Sequence, residues 1–380
     1  MKGDRRKVLH ILVSLRFSGA EIMLNAAFKD LSEGGFEHHI IATGEDVGAY
    51  AETLQSTGYQ VHHLPFRPSP SYFWRLFSFI RENEYSIIHI HMERASFWTA
   101  LTAMAAGGRC VRTIHNTFRF PPRLRRVRGI QRRLMAKMGV AMVACSTTVG
   151  HNEAAEFGYS PAVISNGYCP DRVVFSDLAQ RARSRSILSI KDDDIVIASI
   201  GNCSSLKNHS VIIESLLRFA PSRPPLYLHC GEGHADHGEG ERASELGVQD
   251  RVRFLGRVPD IKDVLAASDV FISASSVEGG PIALLEAAAA GICCVTTRVG
   301  LAPELEGLPN VYLVPADPGA IAETVRAITD IPLHERVERG KALSTYVDGK
   351  YSMQINAQKY REIYEEKSAI SSINLLATAS

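Results

Sequence analysis

Short apolar runs alternate with longer amphipathic stretches along this chain; the pattern breaks near Asn166 and begins again at Ile195. In the first half Val8–Val13, His38–Ala42, Val61–Leu64, Ile87–His91, Val111–Ile114 and Val140–Cys145 read as strands, and Ala20–Leu31, Tyr72–Arg81, Ala95–Ala106 and Arg123–Met138 as helices. In the second, Ile195–Ile200, Leu226–Cys230, Val252–Leu255, Val270–Ser273, Cys293–Thr296 and Val311–Val314 read as strands. Ser210–Phe219, Ile261–Ala267, Ile282–Ala290 and Gly319–Ile328 carry helical spacing between them. Strands that alternate with helices form a parallel sheet covered on both faces. The expectation is therefore an α/β chain of two doubly wound domains, 1–180 and 181–350, facing each other across a cleft. Residues 351–380 are expected to add a helix near Ser352–Lys367, crossing back to the first domain, and a poorly ordered tail. The polar stretch from Asn166 to Asp194, ending in Lys191-Asp-Asp-Asp194, reads as the linker. Open sheets of this kind bind ligands at the carboxyl ends of their strands.

The 380 residues are enough for two cores, and the net charge of +1 gives no reason to expect a nucleic-acid partner. Seven cysteines, an odd number without a Cys-x-x-Cys pair, lie partly inside apolar runs and suit a reducing compartment. The charged start Met1–Lys7 does not read as a signal peptide, and no apolar run approaches the roughly 18 residues that span a bilayer. A cytoplasmic protein is expected.

The stretch Ser273-Ala-Ser-Ser-Val-Glu278-Gly-Gly-Pro-Ile-Ala-Leu-Leu-Glu286 carries the chemistry. A buried strand ends at Ser273, a Gly-Gly-Pro turn follows, and a helix begins near Pro281, where a proline leaves no N–H unsatisfied. Glycines let backbone N–H groups approach a ligand, and a helix N-terminus attracts a diphosphate. Glu286, about one turn into the helix, is placed to accept hydrogen bonds from sugar or ribose hydroxyls. The plain alternative is a helix-terminal charge at Glu278 and a solvated Glu286.

This segment resembles the Glu-x7-Glu signature of the family-four retaining glycosyltransferases (glycosyltransferase group 1), which share the GT-B architecture of two Rossmann-like domains. Further segments resemble that family in order: Ser18-Gly-Ala-Glu21, Thr113-Ile-His115-Asn116, Ile164-Ser-Asn166-Gly167, Arg251–Gly256, Ala267-Ser-Asp269-Val270 and Val299–Glu304. The resemblance implies that Glu286 binds the nucleotide ribose and Glu278 the donor-sugar hydroxyls, with the backbone of Gly279, Gly280, Pro281 and Ile282 facing sugar and phosphates. It implies that Gly19 brings its loop against the diphosphate, that the backbone at Arg257 and Val258 contacts the base, and that His115 sits at the donor sugar. Lys207 falls where the family keeps a lysine that neutralises the diphosphate and assists its departure. Asn202 stands where the family usually has an arginine, so one fixed charge remains instead of two unless Arg257 or Arg16 compensates. The catalytic set implied is His115, Lys207 and Glu278, with Glu278 positioning and no protein nucleophile assigned.

No metal or other cofactor is expected. His89 and His91 are read on opposite faces of a strand, unable to share an ion, and His229, His234, His237, Asp236 and Glu239 lack ligand spacing. Between Glu93 and Glu153 no acidic residue occurs, while eleven arginines and lysines do. Arg123–Lys137 forms a basic amphipathic stretch that reads either as an ordinary sheet-packing helix or as a contact for an anionic membrane on the inner face of the plasma membrane. The implied function is retaining transfer of a sugar, by default from a UDP-sugar, to a glycan, lipid-linked or small-molecule acceptor in polysaccharide biosynthesis. The alternatives are a nucleotide-sugar epimerase of the same fold and a non-catalytic sugar-binding protein.

Overall fold

A computed structural model describes residues 6–220, 224–233 and 238–365. The expected tail (Ser368–Ser380) and the residues His234, Asp236 and His237 lie outside the described residues. The chain divides into two compact units, 1–167 with 353–380, and 168–352.

The first unit is a parallel sheet of β1 (Arg6–Leu12), β2 (Phe36–Ala42), β3 (Gln60–His63), β4 (Tyr85–Ile90), β5 (Arg109–Ile114), β6 (Ala141–Ala144) and β7 (Ala162–Val163). Its order is β3-β2-β1-β4-β5-β6-β7, so the winding reverses between β1 and β4. The second unit holds β8 (Val196–Ile200), β9 (Leu226–Cys230), β10 (Val252–Gly256), β11 (Val270–Ser273), β12 (Cys293–Thr296) and β13 (Val311–Leu313), ordered β10-β9-β8-β11-β12-β13. All its strand pairs are parallel and the reversal lies between β8 and β11. These are two Rossmann-like domains.

The strands are buried on both faces because Val, Ile and Leu fill consecutive positions rather than alternate ones, as in Val8-Leu-His-Ile-Leu12. The helix at residues 282–289 is equally enclosed: Leu284, Leu285 and three alanines are buried around it. Each such leucine contributes about 2 kcal/mol over an exposed one.

Two expectations about organisation are corrected. The unit boundary falls at Gly167/Tyr168, not at 180/181, so residues 168–180 belong with the second unit. The segment read as a linker contains a helix, Leu178–Ile187, that is bolted to its neighbours by charge. Arg185 is fully buried, donates from Nη1 to the carbonyls of Lys191, Asp192 and Asp194, and donates from Nη2 to Asp269 Oδ2 at 2.9 Å. Arg181 and Arg336 close on the other Asp269 oxygen at 2.8 and 3.1 Å. Burial alone would raise the Asp269 carboxyl, and the three guanidiniums outweigh it, holding it below the ordinary value. The helix of the final segment runs Met353–Glu365 and lies in the first unit, where Arg6 and Arg109 donate to carbonyls of its last turn.

Candidate active site

In the second unit the residues singled out above gather at the carboxyl ends of β8 and β11, the switch point of its sheet. After β8 the chain turns at Gly201, passes Asn202 and reaches Lys207, whose Nζ forms an ion pair with Glu278 Oε1. The same carboxylate oxygen accepts from Ser275 Oγ at 2.9 Å, so Glu278 is held from two sides. Ser276 N donates to Leu206 O at 2.8 Å and ties the loop after β11 to the loop after β8. Pro281 caps the helix at residues 282–289 with φ −66° and ψ 104°, one residue outside the first turn rather than in it.

Glu286 is 3% exposed, on a helix whose other neighbours are apolar. A carboxylate there needs a partner. Arg172 supplies it, donating from Nε to Glu286 Oε1 at 2.9 Å; among the described residues no hydrogen bond reaches Oε2. Burial raises the Glu286 carboxyl above its ordinary value, and Arg172 offsets only part of that. The plain alternative, a solvated carboxylate, does not hold: Glu286 is buried and ion-paired. Arg172 escaped the sequence reading because it lies on a short 3₁₀ turn, Pro170–Arg172, inside the apparent linker.

The turn Gly279–Pro281 is shaped from behind. Gly300 has φ +57°, and a Cβ there would come within 2.7 Å of Gly279 O and 2.9 Å of Pro281 Cδ, so only glycine fits. Asn202 uses its Oδ1 to accept from Glu232 N at 3.1 Å. Both arginines considered as substitutes for the missing family arginine already have acidic partners: Arg257 pairs with Glu232 at 3.0 Å and Arg16 with Asp46 at 4.0 Å. Val258 packs its side chain against the β8–β9 core. A cavity of 420 Å³ in this unit is lined by Ser275, Ser276, Thr297 and Arg298 but reaches neither Lys207, Glu278 nor Glu286. A smaller one of 40 Å³ touches Lys207, Pro281 and Ile282. The second adjoins the charged pair and the helix N-terminus.

In the first unit Gly19 opens the helix Gly19–Ser32, with the Ser18 hydroxyl bonded to the Glu21 carboxylate. His115 follows β5 and ends a chain of imidazoles. His91 Nδ1 lies 3.0 Å from His115 Nε2, His10 Nδ1 3.1 Å from His91 Nε2, and His38 Nδ1 2.9 Å from His10 Nε2. His38 Nε2 lies 3.1 Å from Leu31 O, an acceptor only, so His38 must donate there. That fixes every ring in turn: each carries its proton on Nε2, and His115 presents a bare Nδ1. Desolvation keeps all four neutral, lowering His38 and His115 to about 4 and His10 and His91 well below the usual range.

The placement of His89 and His91 on opposite faces is wrong. Residues two apart in a strand share a face, and the two ring centroids lie 4.0 Å apart.

The basic helix, Pro122–Lys137, also differs from expectation. Inward it turns Gly129, Met135 and Arg132, the last 1% exposed and paired with the fully buried Glu153 at 2.7 Å and with Glu93 at 3.1 Å. Arg112 and Arg128 share Glu93, and Arg125 pairs with Glu156 at 2.9 Å, so this cationic surface is partly neutralised. Leu124, Val127, Ile130, Leu134 and the following Met138 are exposed, Ile130 at 52%, with exposed Arg123, Arg126, Arg133 and Lys137 among them, while Met135 is buried. Among the described residues no helix is long and apolar enough to cross a membrane.

Two family models match the chain: "Glycosyltransferase Family 4" over residues 17–172 and "Glycosyl transferases group 1" over residues 180–343. The GPI3 subunit of phosphatidylinositol N-acetylglucosaminyltransferase from Saccharomyces cerevisiae is 28% identical over 376 residues, covering 89% of this chain and 81% of that protein. The fold is similar to that of a glycosyltransferase from Rickettsia africae (TM-score 0.80, 20% identity, 99% of this chain and 100% of that one). It is also similar to that of Anabaena HepE in complex with UDP-glucose (TM-score 0.79, 20% identity, 94% and 99%).

Proposed function

The chain belongs to the group 1 glycosyltransferases, and from that membership we propose that it moves a sugar from a UDP-sugar to a lipid-linked or glycan acceptor with retention of configuration. The observation that carries the donor half is the pairing of Lys207 with Glu278 beside the N-terminus of the helix that buries Glu286. An incoming diphosphate competes for Lys207 and releases Glu278 to accept from sugar hydroxyls. Both groups are thereby held in place before the donor arrives, which lowers the cost of ordering them. Glu286 Oε2 accepts from the ribose while Arg172 holds the other oxygen in place.

In the chemical step charge grows on the leaving diphosphate. Lys207 and the amides at the helix N-terminus stabilise it, and this supplies the electrostatic help that a metal gives elsewhere. Glu278 positions the sugar and is not a nucleophile; the leaving phosphate oxygen takes the acceptor proton on the same face. His115, whose Nε2–H is given to His91, accepts from a sugar hydroxyl at its bare Nδ1.

The acceptor reading rests on the exposed stripe Leu124–Met138 with its flanking cations, a face suited to the boundary of an anionic bilayer. The name of the yeast relative, which acts on phosphatidylinositol, favours the same class. Saturation-transfer NMR with UDP-, GDP- and ADP-sugars tests the donor: the UDP-sugar should show transfer to the sugar and ribose protons. Binding of none of the three sinks the proposal; preference for another base overturns the uridine assignment.

A further inference from the structure

A second polar cluster lies under the 201–208 loop, at the carboxyl ends of β8 and β9. Ser199 and His229 are direct partners across these strands. Ser199 Oγ is 3.0 Å from His229 Nδ1 and 3.4 Å from His209 Nδ1, and also meets Tyr227 Oη. One hydroxyl can accept from both rings while giving its proton to the tyrosine. Both imidazoles then carry hydrogen on Nδ1 and present Nε2 as a lone pair.

A thiol and a carboxylate lie beside them. His229 Nε2 lies 3.3 Å from Cys203 Sγ. His209 Nε2 is buried and has no hydrogen-bond partner among the described residues. Glu239, 2% exposed, adjoins Cys203, and its Oε2 is likewise unpartnered. Cys203, His209 and His229 each offer a ligand atom within 4.8 Å of the others.

The cluster of His10, His89 and His91 in the other unit makes the contrast. It too has three ligand atoms within that distance, but its nitrogens are matched. His89 meets Tyr364 Oη at 2.6 Å and Thr113 Oγ1 at 2.8 Å, and His10 is bonded at both ends. That cluster satisfies itself, whereas the one around Cys203 leaves buried atoms that a cation would satisfy.

We propose that Cys203, His209, His229 and Glu239 form a structural zinc site that anchors the loop bearing Lys207. Two imidazoles, one thiolate and one carboxylate make a closed tetrahedral set of the kind zinc takes. Legs of about 2.3 Å to sulfur and about 2.1 Å to nitrogen put those two atoms about 3.6 Å apart, close to the present Cys203–His229 spacing. The shared Ser199 acceptor is the partner that fixes a metal-ligating imidazole through its other nitrogen. Zinc replaces the Cys203 thiol proton, which leaves to solvent, so the site tightens as pH rises. The site needs no donor sugar, so it stands or falls separately from the proposed reaction.

The test uses the full chain, stripped with a chelator and titrated with Co²⁺. One equivalent should bring a thiolate-to-cobalt charge-transfer band in the near ultraviolet and strong tetrahedral visible bands, both removed by Zn²⁺. Cys203→Ser should lose the charge-transfer band, and Glu239→Gln should keep it while weakening cobalt binding. Cobalt binding without that band places the ion elsewhere in the chain and overturns the proposal, as does a band that survives in Cys203→Ser. The wild-type titration decides even if a variant folds poorly.

Discussion

Replacing Glu286 by Gln separates a donor-binding role from a structural one. The side chain keeps its volume and an oxygen for Arg172 Nε, now 2.9 Å from Oε1, and loses only the charge. Arg172 is 28% exposed, so water screens the pair and its loss costs at most about 1 kcal/mol. Against this stands the relief of a carboxylate held ionised while 3% exposed. The net change in stability at neutral pH should lie within about 1 kcal/mol of zero.

The pH dependence has a definite sign. Burial raises the Glu286 carboxyl in the folded state, so its favourable contribution exists below the unfolded value and is lost as pH rises through the folded one. The variant should therefore gain on the wild type between acidic and neutral pH. Ribose hydroxyls, by contrast, lose a charged acceptor and keep a neutral one. At roughly 0.5–1.5 kcal/mol for each of two hydrogen bonds, the loss is about 1–3 kcal/mol, or roughly 5- to 150-fold in affinity. Calorimetric titration with a UDP-sugar, paired with thermal melts at two pH values, measures both quantities. An affinity within twofold of wild type refutes the assignment of Glu286 to the ribose. A fall in stability comparable to the fall in affinity refutes its separation from the fold.

Glu153→Ala should destabilise the first unit by about 3 kcal/mol in urea titration, because fully buried Arg132 keeps only Glu93. Arg132→Met combined with Glu153→Leu should recover most of that. The same unit should lose stability as pH falls from about 6.5 towards 4: His38 and His115 titrate at about 4 when folded and near 6.5 when unfolded, so the unfolded chain takes up protons first. Urea midpoints that stay level across that window would exclude neutral buried histidines. Co-sedimentation with anionic liposomes should exceed that with neutral ones, and Ile130→Asp should reduce it at unchanged fold. Equal recovery from both lipid mixtures would remove the membrane-facing role of this helix.

Much of the architecture was readable because buried parallel strands announce themselves. Leu226–Cys230, Val270–Ser273 and Cys293–Thr296 coincide with their apolar runs, since each is filled on both faces and bounded by small or polar residues. Helices held by charge did not announce themselves. Leu178–Ile187 buries Ser184 and Arg185, residues that read as solvent-facing, and Leu333–Tyr351 spreads Leu343, Val347 and Tyr351 thinly among charges. The Pro122–Lys137 helix had a visible pattern whose orientation was not visible, because the buried Glu153 drew Arg132 inward.

In the candidate site of the second unit, the local sequence conveyed the Glu278–Glu286 spacing and the position of Lys207, and in the first unit it singled out His115. It did not convey partners brought by the fold from afar: Arg172 to Glu286, His38 and His10 to His115, and Glu239 to Cys203. Pairings over such separations depend on strand register and loop path, and no spacing rule along the chain encodes them.

The contact of Gly300 against Gly279 and Pro281 makes that turn a cast taken from a mould. Reshaping the turn requires recutting the mould in the same step, since any side chain at 300 displaces Gly279 O. A saturation scan of this protein should therefore flag position 300 as intolerant although it offers no functional group to a ligand. Substitution at Ser276 and Arg298, whose side chains are exposed, leaves the mould intact.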